Sequence, residues 1–171
     1  MDYFNGMGYR FHPTEDEIIH HFLESKMRDG TDFSAVIKEV DICSFEPWQL
    51  PEHSPLSSDD QQWYFFSAIA YKYAKSKRIE RTTRAGSWKV TGKDHEIYDE
   101  NTGQLIGKRK ALVFYQGHGS NVIKTCWVMH EFHSETARYY QKPFVLCRLK
   151  RKSDDTEDDQ PSSRWASTSR N

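Results

Sequence analysis

The clearest helical spacing in the chain lies near its start. Ile18, Ile19, Phe22, Leu23 and Met27 recur at steps of three and four, while Glu24, Ser25 and Arg28 fall on the other side, which predicts an amphipathic helix over about 15–28. Its first turn is marked by chemistry as well. Thr14 and Glu17 stand at capping-box spacing, and Glu15, Asp16 and Glu17 place negative charge at the positive end of the helix dipole. A short second helix is predicted around Pro47-Trp48-Gln49-Leu50, where Pro47 is pre-set for a first helical turn and Pro51 stops continuation. Residues 52–60, rich in Ser, Asp and Pro, read as loop.

From Trp63 onward the pattern changes to short β-branched and aromatic runs. Seven strands are predicted, at 63–66, 86–93, 96–98, 104–106, 111–115, 125–132 and 144–149, with a hairpin at Asp99-Glu100-Asn101-Thr102-Gly103. They suggest an α+β domain, a twisted antiparallel sheet flanked by an N-terminal helix and a short second helix. Residues 153–171 carry almost no apolar side chain and are expected to be a disordered tail.

Composition narrows this picture. At 171 residues the chain has the length of one domain, and 36% hydrophobic residues would be a thin core were the aromatic share not 14%, since rings bury large areas per residue. The apolar runs are too short for a membrane-spanning helix, and the start lacks the basic and apolar regions of a signal peptide. Cys43, Cys126 and Cys147 stand in no Cys-x-x-Cys pair, so neither a disulfide framework nor a structural zinc site is expected, and a reducing compartment fits. Cys126, His130 and His133 are candidates for a zinc cluster, but no fourth ligand accompanies them. His20 and His21 read as solvated, and no phosphate-binding glycine loop or nucleophile elbow is present.

Charge carries more information. Residues 1–62 hold 4 basic and 13 acidic side chains, residues 63–152 hold 18 and 7, and residues 153–171 hold 2 and 5, for net charges of −9, +11 and −3. A basic block in a nearly neutral chain points to a polyanionic partner. Its densest part runs from Lys72 to Lys93, where Lys72, Lys75, Lys77, Arg78, Arg81, Arg84, Lys89 and Lys93 face a single acid, Glu80. In Trp88-Lys89-Val90-Thr91-Gly92-Lys93, a period of two sends Trp88 and Val90 inward and Lys89, Thr91 and Lys93 outward. A strand of this kind fits the major groove, where lysine or arginine can bond guanine O6 and N7 and loop cations can hold phosphates. An edge strand protected by lysines would show the same alternation.

The ordered motifs Gly8-Tyr9-Arg10-Phe11-His12-Pro13-Thr14, Val40-Asp41-Ile42 with Glu46-Pro47-Trp48, Trp63-Tyr64-Phe65-Phe66, Trp88-Lys89-Val90-Thr91-Gly92-Lys93-Asp94, Lys110-Ala111-Leu112-Val113-Phe114-Tyr115, Trp127-Val128-Met129-His130-Glu131 and Val145-Leu146-Cys147-Arg148 resemble the plant NAC (NAM, ATAF and CUC) transcription-factor domain over roughly residues 6–152. The resemblance implies a twisted antiparallel sheet with flanking helices, a dimer, a nuclear protein, and sequence-specific binding to promoter DNA with a CACG-type core. Matched position by position, the family's groove-inserted strand is Trp88 through Lys93. Arg81 and Lys89 are then expected nearest the bases, with Lys72, Arg78 and Lys93 on phosphates, Arg84, Thr91 and Lys124 alongside, and the Arg109-Lys110 pair in DNA contact or nuclear import. Arg10 and Glu17 match the family's dimer pair, in a homodimer or a heterodimer with related NAC proteins. The chain departs from the family pattern at Asn5-Gly6-Met7, Ser87, Val90, His118 and Asn121.

The resemblance implies no enzyme activity, metal, cofactor, membrane or small-molecule substrate. Two other readings remain open from the sequence: a dimerising regulator of full-length relatives with little transactivation of its own, and a single-stranded nucleic-acid module with exposed aromatics on its sheet.

Overall fold

The computed structural model describes residues 10–69 and 79–153. Lys72, Arg78 and all of the predicted tail except Ser153 lie outside those residues. The first helix, α1 (15–29), begins at the Thr14 cap, where the Thr14 hydroxyl accepts from the Glu17 amide at 3.2 Å and Glu17 reaches back to the Thr14 amide. Its middle differs from the regular helix that the spacing predicts. Ile18–Leu23 is wound as a π-helix, with the Glu24 amide bonded to the Ile19 carbonyl, before α-helical winding resumes over Glu24–Asp29. Four consecutive-pair residues, Ile18, Ile19, Phe22 and Leu23, are buried on one face, and Gly30 ends the helix in the left-handed region.

The predicted second helix is a 3-10 helix, Pro47–His53, and it runs into what reads as loop because Ser54 still donates to the Pro51 carbonyl. Among the described residues six strands form one sheet in the order β1-β2-β6-β5-β4-β3: β1 Lys38–Glu39, β2 Gln62–Ala68, β3 Gly86–Tyr98, β4 Leu105–Gln116, β5 Ile123–Ser134 and β6 Phe144–Arg151. Two pairs of predicted short strands are each one long strand here: on β4, Gly107 to Lys110 keep ladder pairing with β5, and on β3, pairing resumes at His95 past an irregularity after Thr91. The sheet is antiparallel except at β1, a two-residue strand without hydrophobic signature that pairs parallel to β2 through Lys38 and Phe65.

Each face of the sheet carries a core. On one face Trp63, Phe65, Trp88, Leu112, Phe114, Trp127, Met129 and Leu149 pack with Val40, Ile42 and Leu50. On the other, Phe66, Ile97, Phe132 and Leu146 lie under α1 and Ile37. Among the described residues no helix is long and apolar enough to cross a membrane.

This order leaves β3 on the edge, with one side of its backbone unpaired by any other strand of the sheet. His20 and His21 are both exposed, as expected, and each also makes a contact: His20 Nε2 lies 2.9 Å from Asp99, and His21 packs edge-on against Phe22 and Phe33.

Candidate nucleic-acid interface

Strand β3 enters the sheet through a pinned turn. Gly86 is required there, since a Cβ would meet the Tyr115 carbonyl oxygen at 2.0 Å. The Glu46 carboxylate, at the start of the 3-10 helix, accepts from the Thr83 hydroxyl and from the Ala85 amide at 3.3 Å. The Trp88 amide donates to the Arg81 carbonyl at 2.8 Å, and the Cys43 thiol to the Glu80 carbonyl at 3.3 Å. Burial pushes the Cys43 thiol up to about 12, with Asp41 and Glu80 adding to it, so this cysteine serves as a donor and not as a thiolate.

Beyond the turn, Trp88 is 3% exposed but Val90 is 44% exposed. The period of two assigns both to one face, and it does so correctly. Burial additionally needs a covering layer, which this edge strand has over Trp88, against Phe114, and lacks over Val90. The alternation then breaks. A four-residue step on β3, from Thr91 to His95, spans the two-residue step from Ala111 to Arg109 on β4, so Gly92, Lys93 and Asp94 bulge from the edge, with Gly92 at φ +68°. Lys89, Thr91 and Lys93 are all exposed, and the Lys89 ammonium lies 4.7 Å from the centre of the Tyr115 ring.

The predicted cations divide into two groups. Arg84, Lys89, Lys93 and Lys124 are exposed and, among the described residues, form no ion pair with a carboxylate. Arg109 and Lys110 are held internally. Arg109 Nη1 lies 2.8 Å from Glu15, and Lys110 Nζ 2.8 Å from Asp94, whose carboxyl is kept below its ordinary range by that hydrogen bond against the opposing effect of burial.

Arg81, expected nearest the bases, has a carboxylate partner within the sheet. Its Nη2 lies 3.0 Å from Glu131, buried on β5, so the guanidinium braces the sheet. Burial drives the Glu131 carboxyl up, but a short hydrogen bond from His133 and the Arg81 charge outweigh it and leave the group ionised below its ordinary value.

His133 thus turns to Glu131, while His130 on the opposite face accepts at Nδ1 from Arg148 Nη2 at 2.6 Å. These engagements pull apart two of the three residues weighed as zinc ligands. Among the described residues the metal-ligating groups within reach of one another are Asp16, His20 and Asp99, with His20 and Asp99 already bonded to each other.

Sequence reasoning assigned no role to Glu46, Glu131 or Arg148, and it took His130 only as a candidate zinc ligand. A carboxylate in the middle of the apolar Trp127–Phe132 run was the available signal for Glu131, because a buried charge demands a partner. Arg10 and Glu17 are both exposed; Arg10 Nη1 lies 2.7 Å from Asp60 of its own chain, and Glu17 completes the cap with Thr14.

An α+β sheet with a bulged basic edge and a capped helix across one face defines a class of domain, and the comparisons define its family. Residues 6–134 match the family model described as No apical meristem (NAM) protein. The chain is 41% identical over 152 residues to Protein CUP-SHAPED COTYLEDON 3 of Arabidopsis thaliana, a match covering 86% of this chain and 45% of that protein. It is 40% identical over 153 residues to Protein CUP-SHAPED COTYLEDON 1 of the same plant, covering 85% and 49%. To NAC domain-containing protein 69 of Arabidopsis thaliana it is 42% identical over 152 residues, covering 87% and 33%. The chain belongs to this NAC-domain family of plant transcription factors. It spans less than half the length of each of these three relatives.

Proposed function

We propose that residues 6–152 form a sequence-specific, duplex-DNA-binding and dimerising domain of a nuclear transcription factor, which reads CACG-type promoter sites by inserting β3 into the major groove. The observation that carries this reading is the bulged edge strand itself. Lys89 and Thr91 are exposed on one face of the edge strand, Lys93 sits on the bulge, and Arg84, in the turn before β3, and Lys124, on β5, have no carboxylate partner among the described residues. In this reading Lys89 and Thr91 meet base edges, Arg84, Lys93 and Lys124 meet phosphates, and Lys72 and Arg78 extend the phosphate contacts. Arg81, Arg109 and Lys110 act by holding β3 and β4 in place. The domain acts by binding and needs no metal or cofactor. Residues 153–171 serve as a tail.

The dimer, with itself or with a related NAC protein, is proposed through Arg10 and Glu17, whose exposure leaves both open to a second chain. A binding selection on random duplex DNA tests the whole reading: enrichment of a CACG core supports it, and enrichment of no motif overturns it. Lys89→Ala is expected to lose about 1–3 kcal/mol of preference for the selected site over random duplex. Equal loss on both would move Lys89 to the phosphate contacts.

A further inference from the structure

The face of the sheet that α1 covers at one end is open at the other, and its residues can be followed strand by strand. One lateral row pairs Thr91 of β3 with Ala111 of β4, Ala111 with His130 of β5, and His130 with Arg148 of β6. The adjacent row runs Lys89, Val113, Val128, Lys150. Paired residues of an antiparallel ladder share a face, so Lys89 and Thr91 lie on the same surface as Arg148 and Lys150. The second row is β-branched in its middle and long at both ends; in the first, Thr91 and Ala111 are short, and His130 and Arg148 rise on the β5 and β6 side. The surface is therefore a shallow trough, about 14 Å across from β3 to β6 at three strand spacings, floored by Ala111, Val113 and Val128.

Its charge is uncompensated. Among the described residues, Lys89, Arg148 and Lys150 form no ion pair with a carboxylate; Glu15 is taken by Arg109, and Asp60 by Arg10 and His12. His130 sits between the cations and responds to them. Burial, then Arg148, Arg109, Lys150 and Lys152, bring it down to about 4, so it remains a neutral acceptor for Arg148. Arg148 is further oriented by its stacking at 5.2 Å over the Phe132 ring. A preoriented guanidinium and an exposed ammonium facing Lys89 across an uncharged floor suit a linear polyanion better than a protein surface of mixed charge.

We infer that this trough is a phosphate track, in which Arg148 and Lys150 hold the sugar-phosphate backbone of the same duplex whose bases face Lys89 and Thr91. The inference rests on the DNA-binding reading above and assigns it a second set of contacts, on β6, that carry affinity without sequence information.

The test is the salt dependence of binding, measured on a duplex with a CACG-type site and on a random duplex of equal length, for wild type, Lys150→Gln, Arg148→Gln and Arg148→Lys. Each lost phosphate contact is expected to make the slope of log K against log salt shallower by about 0.9. Between 50 and 200 mM salt this makes the fall in affinity about 3.5-fold smaller per contact. The ratio of specific to random affinity should stay unchanged, and Arg148→Lys, which keeps the charge, should keep most of the slope. Should Arg148→Gln fail to fold, exposed Lys150 decides alone. A steep wild-type slope with unchanged variant slopes would overturn the track and leave the DNA reading standing. A fall in the specificity ratio would also overturn it, by making these base contacts. A flat wild-type slope would instead sink the DNA reading itself.

Discussion

Arg81 and Glu131 meet beneath the entry to β3, Nη2 to Oε1 at 3.0 Å, while the backbone carbonyl of the same arginine accepts from the amide of Trp88. One residue therefore ties the loop to the first buried ring of the edge strand and, through its side chain, to the centre of the sheet. Removing one partner of a buried pair leaves the other charge uncompensated. Glu131→Ala is expected to cost about 3–5 kcal/mol in denaturant unfolding. Lys89→Ala, on the exposed side of β3, should stay within about 0.5 kcal/mol of wild type. Comparable losses from the two would show that Arg81 and Glu131 do not brace the strand.

A pH dependence follows from His130. Its folded-state value of about 4 lies below the ordinary 6.5, so between those limits the unfolded chain takes up a proton that the fold refuses. The contribution of His130 is complete above about pH 6.5 and is lost as pH falls toward about 4. The groups responsible are burial on β5 and the cations Arg148, Lys150 and Lys152 from β6 and just beyond, with Arg109 from β4. Solvent reaching this half-buried ring makes the effect smaller than the shift taken at face value. His130→Gln should flatten stability against pH in that window, read by thermal melts at pH steps; an unchanged slope would count against the assignment.

The sequence carried the fold where one physical cue was enough. The capping box at Thr14 and Glu17 and the apolar spacing of Ile18 to Leu23 located α1, and alternation around Trp88 located the first part of β3. It failed where two levels had to agree. Lys38 and Glu39 have no strand signature and become β1 only because Phe65 and Phe66 offer an edge. Val90 has the right parity but nothing over it, and the buried acid that Arg81 meets stands fifty positions away, so the pair itself is not readable from charge. Basic residues can be counted from composition; which of them are already neutralised, as Arg109 and Lys110 are, needs the register of β4 against α1 and β3.

Two glycines of β3 separate sterics from backbone strain. At Gly86 a Cβ would collide with the Tyr115 carbonyl oxygen, so Gly86→Ala should pry β3 from β4 and destabilise the domain severely. At Gly92 there is open space, and the cost is the positive φ, about 1–2 kcal/mol for Gly92→Ala. Because Gly92 shapes the bulge that carries Lys93, duplex affinity should fall at Gly92→Ala even where the domain remains folded, as checked by melting and by binding on the same samples. Full affinity in a folded Gly92→Ala would show that the bulge has no part in recognition.

The dimer proposal sets two partners in competition for Arg10. Within the chain its guanidinium lies 2.7 Å from Asp60, which also receives His12, and Glu17 is occupied by the cap at Thr14. If Arg10 pairs instead with Glu17 of a second chain, Asp60→Asn should release it and shift sedimentation toward dimer. Arg10→Glu and Glu17→Arg should each favour monomer by placing like charges across the two-fold axis. Their combination restores opposite charges at both bridges and should regain dimer. Glu17→Arg also reverses a charge that favours the helix start, at about 0.3–1 kcal/mol, so a melting curve accompanies it. Loss of dimer in all three charge variants would mean that the residues matter without pairing directly, and a monomeric wild type would end the proposal. Where the dimer persists, binding to duplexes with two half-sites should exceed binding to one, because the second β3 engages at the effective concentration set by the first.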